Sequence, residues 1–318
     1  EGDHFPAGDS TDFVTPGLDE GTVVYSGSGN YSLEDSRAFY NMEIIMDNAS
    51  DTVSLLADYA VNGNLKIEKG ALRINNNDPA NSTPLTLDVA GNVDVYSNGA
   101  ITVGEADAYI DNLGGDYGDY HEGFHQFIVG GDFLNQGNVR LTNLSTPDYS
   151  EGNMATDLNG AVSLVFTGAS NNSFTCESTT DLYNLVIDKG GSQTYELEIY
   201  AEDTSHFALF GDNNNDLNDN NGHEANPESQ KALWIKSGTM RLTGEIYIPS
   251  LTEGGVDFPL GENARLLLDG PNVFVSVTAD GDDTYENLSH GSPDGVDDGS
   301  GYQGFYLLGS AIDITISI

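Results

Sequence analysis

Cations and sulfur are what this chain has least of. Its 318 residues include 10 Lys+Arg against 51 Asp+Glu, a formal charge of −41. Charged residues are still only 19% of the total, below the roughly 25% typical of soluble domains, so the imbalance comes from missing cations and not from a surplus of charge. A surface this anionic repels nucleic acid and anionic lipid head groups, because both are bound by Lys and Arg neutralising phosphate. It calls instead for monovalent salt that screens it, or for divalent cations held at particular carboxylates. The single cysteine, Cys176, excludes an internal disulfide framework and any Cys-based zinc site. An extracellular fold without disulfides depends on a large core or on metals. No run of about 18 apolar residues occurs, so no helix of this chain spans a membrane. The start, Glu1-Gly2-Asp3-His4, has neither the basic nor the apolar region of a secretory leader, and the chain reads as a mature or excised piece.

Helical signals are scarce as well. The chain holds 38 Gly, each costing about 1 kcal/mol in a helix relative to Ala. At 38% hydrophobic it is not disordered throughout, and its length allows one elongated domain or two to three compact ones. What is present is strand-type alternation in short runs bounded by Gly, Asn or Asp. Leu65-Lys66-Ile67, a Glu68-Lys69-Gly70 corner and Ala71-Leu72-Arg73-Ile74 make one such phrase. It returns as Val93-Asp94-Val95 with Ala100-Ile101-Thr102-Val103, as Phe133 with Asn138-Val139-Arg140-Leu141, and as Leu233-Trp234-Ile235 with Thr239-Met240-Arg241-Leu242. Each phrase is two short strands joined at a Gly-containing corner, and such a unit buries its apolar face only by stacking on its copies, the logic of a β-solenoid.

A longer repeat runs over this one. Tyr25-Ser26-Gly27 and Phe39-Tyr40-Asn41-Met42-Glu43-Ile44 are echoed by Phe166-Thr167-Gly168 and Leu182-Tyr183-Asn184-Leu185-Val186-Ile187, the latter pair offset by 143 residues. Leu65 to Arg73 matches Leu233 to Arg241 at an offset of 168, which places an insertion of 25 residues in the second copy, around the polar run Asp212 to Glu228. Over roughly residues 21–105 and 160–250 these phrases resemble the repeat units of large secreted surface proteins and adhesins of Bacteroidota. The resemblance implies a right-handed parallel β-helix and a structural or adhesive role outside the cell. The C-terminal sorting domain typical of secreted members is not evident in this sequence. The expected organisation is an N-terminal extension or cap over 1–20, a first solenoid block over 21–159, a second over 160–255 with an acidic insertion at 202–230, and a C-terminal β region over 256–318. Tandem β-sandwich modules are the alternative that the 143-residue offset permits.

Three loops carry the candidate chemistry. Asp212, Asn214, Asp216 and Asn218, with Glu224 beyond them, present oxygen ligands at alternate positions, as Ca²⁺ requires with six to eight oxygens at about 2.3–2.6 Å. The match to an EF-hand is partial, since Leu217 stands at the sixth position and His223 at the twelfth. A second acidic set, Asp280, Asp282 and Asp283 with Asp294 and Asp297, brackets a Gly/Ser-rich stretch. Both sets also read as plain solvated loops. Tyr117, Tyr120, His121 and His125 crowd into one segment and form a weak glycan-binding candidate. His121-Glu122-Gly123-Phe124-His125 spells a zinc-hydrolase motif, but Gly114, Gly115, Gly118 and Gly123 argue against the helix that chemistry needs.

No catalytic set is assigned. A lyase acting on anionic glycans wants clustered Arg or Lys with Ca²⁺ and a base, whereas Arg37, Arg73, Arg140, Arg241 and Arg265 are scattered. Cys176 has no adjacent His and reads as an inert thiol. The expectation is therefore an extracellular or cell-surface structural or adhesive protein. It is stabilised by Ca²⁺, and its loops at 106–126, 202–230 and 279–303 project as binding or metal-bridging surfaces. Self-association into filaments or a matrix and contact with glycans or surfaces are its expected partnerships. The alternative is a Ca²⁺-assisted polysaccharide lyase or glycan-binding module on the same scaffold.

Overall fold

Alternation in the strand sequences becomes alternation of burial. In the strand Leu65–Ile74, Leu65, Ile67, Leu72 and Ile74 are fully buried while Lys66 and Arg73 lie half-exposed. Two adjacent half-exposed residues, Glu68 and Lys69, interrupt the pattern where the chain turns its corner. Gly70 follows at φ +97°, a left-handed conformation that glycine adopts without the steric cost other residues meet. Gly238 holds the equivalent place in Leu233–Ile248 at φ +92°.

The computed structural model describes residues 20–76, 84–104, 125–144, 160–210, 232–248, 257–275, 304–307 and 313–317. Its 23 strands pair in parallel, each with the strand one turn further along the chain. Successive strands form three faces. On face A, Phe39 pairs with Val61, Val61 with Val89, Val129 with Phe166, Phe166 with Ile187 and Ile187 with Ile235. On face B the column runs Met42, Leu65, Val93, Phe133, Phe174, Ile199, Leu242. On face C it runs Val53, Leu72, Ile101, Val139. All of these side chains point inward and are buried, so each column is a ladder of like residues and the core is one continuous seam. The molecule is a parallel β-helix with three strands per coil. Tandem sandwich modules are overturned, because their antiparallel strands do not produce this register.

Partners on face B lie 23 residues apart between Met42 and Leu65, 28 between Leu65 and Val93, and 25 between Phe174 and Ile199. The spacing widens to 40 between Val93 and Phe133 and 43 between Ile199 and Leu242, where insertions enter the coil. The last third continues the same coils. Leu260 pairs with Leu307, and Leu268 with Ile316, so the terminal strand is received by the coil before it.

The long repeat carries a shift of one face. Leu65–Ile74 runs from face B to face C, whereas its match at 233 to 241 runs from face A to face B. Likewise Asn41–Met46 lies on face B and Asn184–Asp188 on face A. The echo is therefore a strand–corner–strand phrase reused at a different edge, and its offset is not a whole number of coils.

The corner between faces A and B is lined with amides. Asn41 Oδ1 accepts the Asn64 N–H at 2.9 Å, Asn64 Oδ1 the Asn92 N–H at 2.9 Å, and Asn92 Oδ1 the Asp132 N–H at 2.9 Å. Asp132 Oδ1 then accepts the Ser173 N–H at 2.8 Å. Glycine precedes three of these residues, at 63, 91 and 131. A Cβ on Gly91 would stand 2.7 Å from Asn64 Oδ1, so the ladder needs both the amide and its neighbouring glycine.

Candidate functional site

The three corners differ sharply in length. Face A passes to face B, and face B to face C, through short turns, the longest being 189–195. The chain leaves face C at Ile74, Val103, Arg140, Leu209, Ile248 and Val275, and re-enters face A at Thr86, His125, Val162, Leu233, Asp257 and Gly304. Every long connection is thus inserted at one edge, C to A. Departure points stack in register, Ile74 on Val103 and Ile248 on Val275, as do return points, His125 on Val162 and Asp257 on Gly304. Parallel strands lie roughly 5 Å apart, which sets the spacing of neighbouring departures along this edge.

Asp212, Asn214, Asp216, Asn218 and Glu224, together with Asp280, Asp282, Asp283, Asp294 and Asp297, lie outside the described residues, within two of these connections. Tyr117, Tyr120 and His121 lie outside them too, within a third. Among the described residues no group of three or more His, Cys, Asp or Glu is placed to hold a metal ion. His125 is described. It opens a face A strand with its ring turned inward and 1% exposed, so it is a core residue and not a surface platform for a glycan. Its Nδ1 accepts the Leu85 N–H at 3.0 Å, its Nε2 lies 3.4 Å from the Asn75 amide, and burial pushes its pKa down to about 4.

The faces carry cross-coil polar ladders of ordinary structural character. On face B, Lys66 bridges Glu43 at 3.0 Å and also bonds Glu68, while its ammonium lies 5.2 Å from the Tyr96 ring centre. Arg241 bonds Asp269 through Nε at 2.8 Å and lies 3.4 Å from both Glu196 and Glu198. These carboxylates hold its guanidinium above its usual pKa, the Asp269 hydrogen bond foremost. Half-exposed tyrosines stand outside the coils at Tyr96, Tyr200 and Tyr247. A shallow groove of about 500 Å³ next to the insertion edge is lined by Arg37, Asp58, Tyr59, Thr86 and Asp88. Two of its polar groups have partners: Arg37 pairs with Asp35 at 3.1 Å and Asp58 accepts the Thr86 N–H at 2.8 Å.

Inside, Asn135 is fully buried and saturated. Its amide donates to Thr179 O and Thr180 Oγ1, both at 2.8 Å, and its Oδ1 accepts the Gly137 N–H at 2.9 Å. Cys176 pairs with it in register, and burial pushes that thiol up to about 12, consistent with the inert reading. Sequence reasoning passed over the amide ladder, whose signal is the recurrent doublet Gly63-Asn64, Gly91-Asn92, Gly131-Asp132. It also passed over Lys189, a fully buried lysine that no local pattern marks. The chain matches no family model, no curated protein and no solved structure.

Proposed function

We propose that this chain is a stiff structural or adhesive element of an extracellular surface, whose acidic connections bind divalent cations, Ca²⁺ foremost. The observation that carries this reading is the single insertion edge. All ten candidate ligands, from Asp212 to Asp297, belong to connections that leave face C and return to face A. Carboxylates gathered along one edge repel one another in a chain of charge −41, and a divalent ion with six to eight oxygen ligands relieves that repulsion. The coils supply the stiffness, since each strand is bonded to the next along the axis and the core is continuous. Cations shared between molecules would join such rods into filaments or a matrix, and the same charge keeps nucleic acid and anionic membranes away.

Isothermal titration with Ca²⁺ and with Mg²⁺, followed by light scattering, tests the reading. Saturable Ca²⁺ binding with a rise in assembly size supports it. No binding heat and unchanged scattering at millimolar Ca²⁺ overturn it.

A second reading, a glycan-binding or lyase module on the same scaffold, is favoured by the half-exposed rings of Tyr200 and Tyr247, since amphipathic aromatics make good contact surfaces. Incubation with alginate, pectate and sulfated glycans separates the two: unsaturated products mark a lyase, retention without products a binding module.

A further inference from the structure

Lys189 begins the longest of the A-to-B turns, and its side chain is fully buried. Its Nζ donates to two neutral oxygens, Thr167 O at 2.9 Å and Asn172 Oδ1 at 2.7 Å. A buried ammonium without a close carboxylate is costly. Burial accordingly holds the Lys189 pKa below its usual value, with the charge of Asp132 opposing the shift, and favours the neutral, nucleophilic amine.

The Asn172 amide is held from both ends. Its Oδ1 accepts from Lys189 Nζ and from Ser170 Oγ at 3.1 Å, while its Nδ2 donates to Asp132 Oδ1 at 3.5 Å. Asp132 is itself fixed by the Ser173 N–H at 2.8 Å, the last rung of the corner ladder. An amine, a hydroxyl donor on the carbonyl oxygen and a carboxylate on the amide nitrogen therefore converge on one side chain. This is a set that transfer of an acyl group from nitrogen to nitrogen uses: a nucleophile, a hydrogen bond where negative charge develops, and a carboxylate that orients the departing nitrogen.

We propose that the folded chain joins Lys189 to Asn172 through an isopeptide bond. The neutral Nζ attacks Cγ of Asn172, and the charge developing on Oδ1 is met by the Ser170 hydroxyl. The proton that Nζ gives up passes to Nδ2, the nitrogen that Asp132 Oδ1 holds at 3.5 Å. The Cγ–Nδ2 bond breaks, one molecule of ammonia leaves, and an Nζ–Cγ amide remains. No oxidant, reductant or second substrate is consumed. The bond closes a segment of 17 residues and ties the face B strand of one coil to the end of the face A strand in the next. It is a covalent staple in a chain whose one cysteine excludes an internal disulfide. The proposal stands apart from the function proposed above.

Intact-mass measurement and peptide mapping of the purified wild-type chain test it. The expected mass falls short of the sequence mass by one ammonia, with a branched peptide joining Lys189 to Asn172. Lys189→Arg and Asn172→Ala, checked for folding by circular dichroism, then show the full sequence mass, and Asp132→Ala shows slow or no bond formation. A wild-type chain of full sequence mass overturns the proposal. So does an ammonia loss traced to a cyclic imide in an unbranched peptide, or conversion of Asn172 to a free aspartate.

Discussion

Asn64 receives the backbone N–H of Asn92 on its Oδ1 at 2.9 Å, while its own N–H is received by Asn41 in the same way. A side chain thus takes one backbone N–H at the corner, between direct coil-to-coil backbone bonds such as Gly91 N–H to Gly63 O at 2.9 Å and Leu65 N–H to Asn92 O at 2.9 Å. Each rung satisfies a donor that would otherwise be unpaired. Asn92→Ala removes one acceptor and is expected to cost about 1–2 kcal/mol in urea unfolding. Asn92→Asp costs less, because Asp132 already fills the next rung with a carboxylate. Gly91→Ala is expected to be the more damaging change, since its new Cβ meets Asn64 Oδ1 and the corner has to open.

The aromatic stack in the middle coils gives a second test. Phe174 is fully buried, with Phe133 at 4.9 Å and Phe166 at 5.2 Å between ring centres. Phe174→Ala leaves a cavity bounded by both rings and is expected to cost about 3–5 kcal/mol, with Phe174→Leu recovering part of it. Thermal unfolding of the three proteins in the same buffer measures both. Equal midpoints for wild type and Phe174→Ala would mean that the stack does not hold the coils together.

His125 makes stability depend on pH. Its folded pKa of about 4 lies below the unfolded value of 6.5, through burial alone. The neutral ring is therefore favoured in the fold, and its contribution is complete above pH 6.5. As pH falls from 6.5 towards 4, the unfolded chain takes up a proton that the folded chain refuses, and on the order of 3 kcal/mol is lost. Urea unfolding at pH 7.5 and pH 5 should show this loss for wild type and a smaller one for His125→Gln. The same pH slope in both proteins would assign it elsewhere.

Cys176 should be silent in the folded protein. Its thiol is buried beside Thr180, with a pKa near 12, so thiolate is scarce and access closed. A thiol reagent at pH 8 is expected to modify the chain only at the rate at which it unfolds, and fully in denaturant. Prompt labelling of the native protein would contradict the packing of face B against Asn135.

The coil was legible because its signal is local. Alternation in Leu65-Lys66-Ile67 and the Gly70 corner reveals two strands and a turn within ten residues, and stacking follows from their inability to bury a face alone. Which edge each phrase occupies was not legible. Leu65-Lys66-Ile67 and Leu233-Trp234-Ile235 bury their first and third residues alike on different faces, since any face asks only for alternation. Hence the 143-residue echo reads as a repeat of modules when it is a repeat of corners. The insertion edge was hidden for the same reason, as it appears only once the faces are numbered. His125 was misplaced because its neighbours Tyr117 to His121 are polar, while Leu85 and Asn75, which hold it, lie 40 and 50 residues earlier. Lys189 is similar: its partners Thr167 and Asn172 belong to the coil before.

We propose that the acidic connections at the C-to-A edge bind divalent cations and stabilise the rod. Scanning calorimetry of the same preparation in excess EDTA and in millimolar Ca²⁺ addresses it most directly. A melting temperature that rises with Ca²⁺, saturates, and falls back on chelation is the predicted result. An identical melting temperature in both conditions would contradict it.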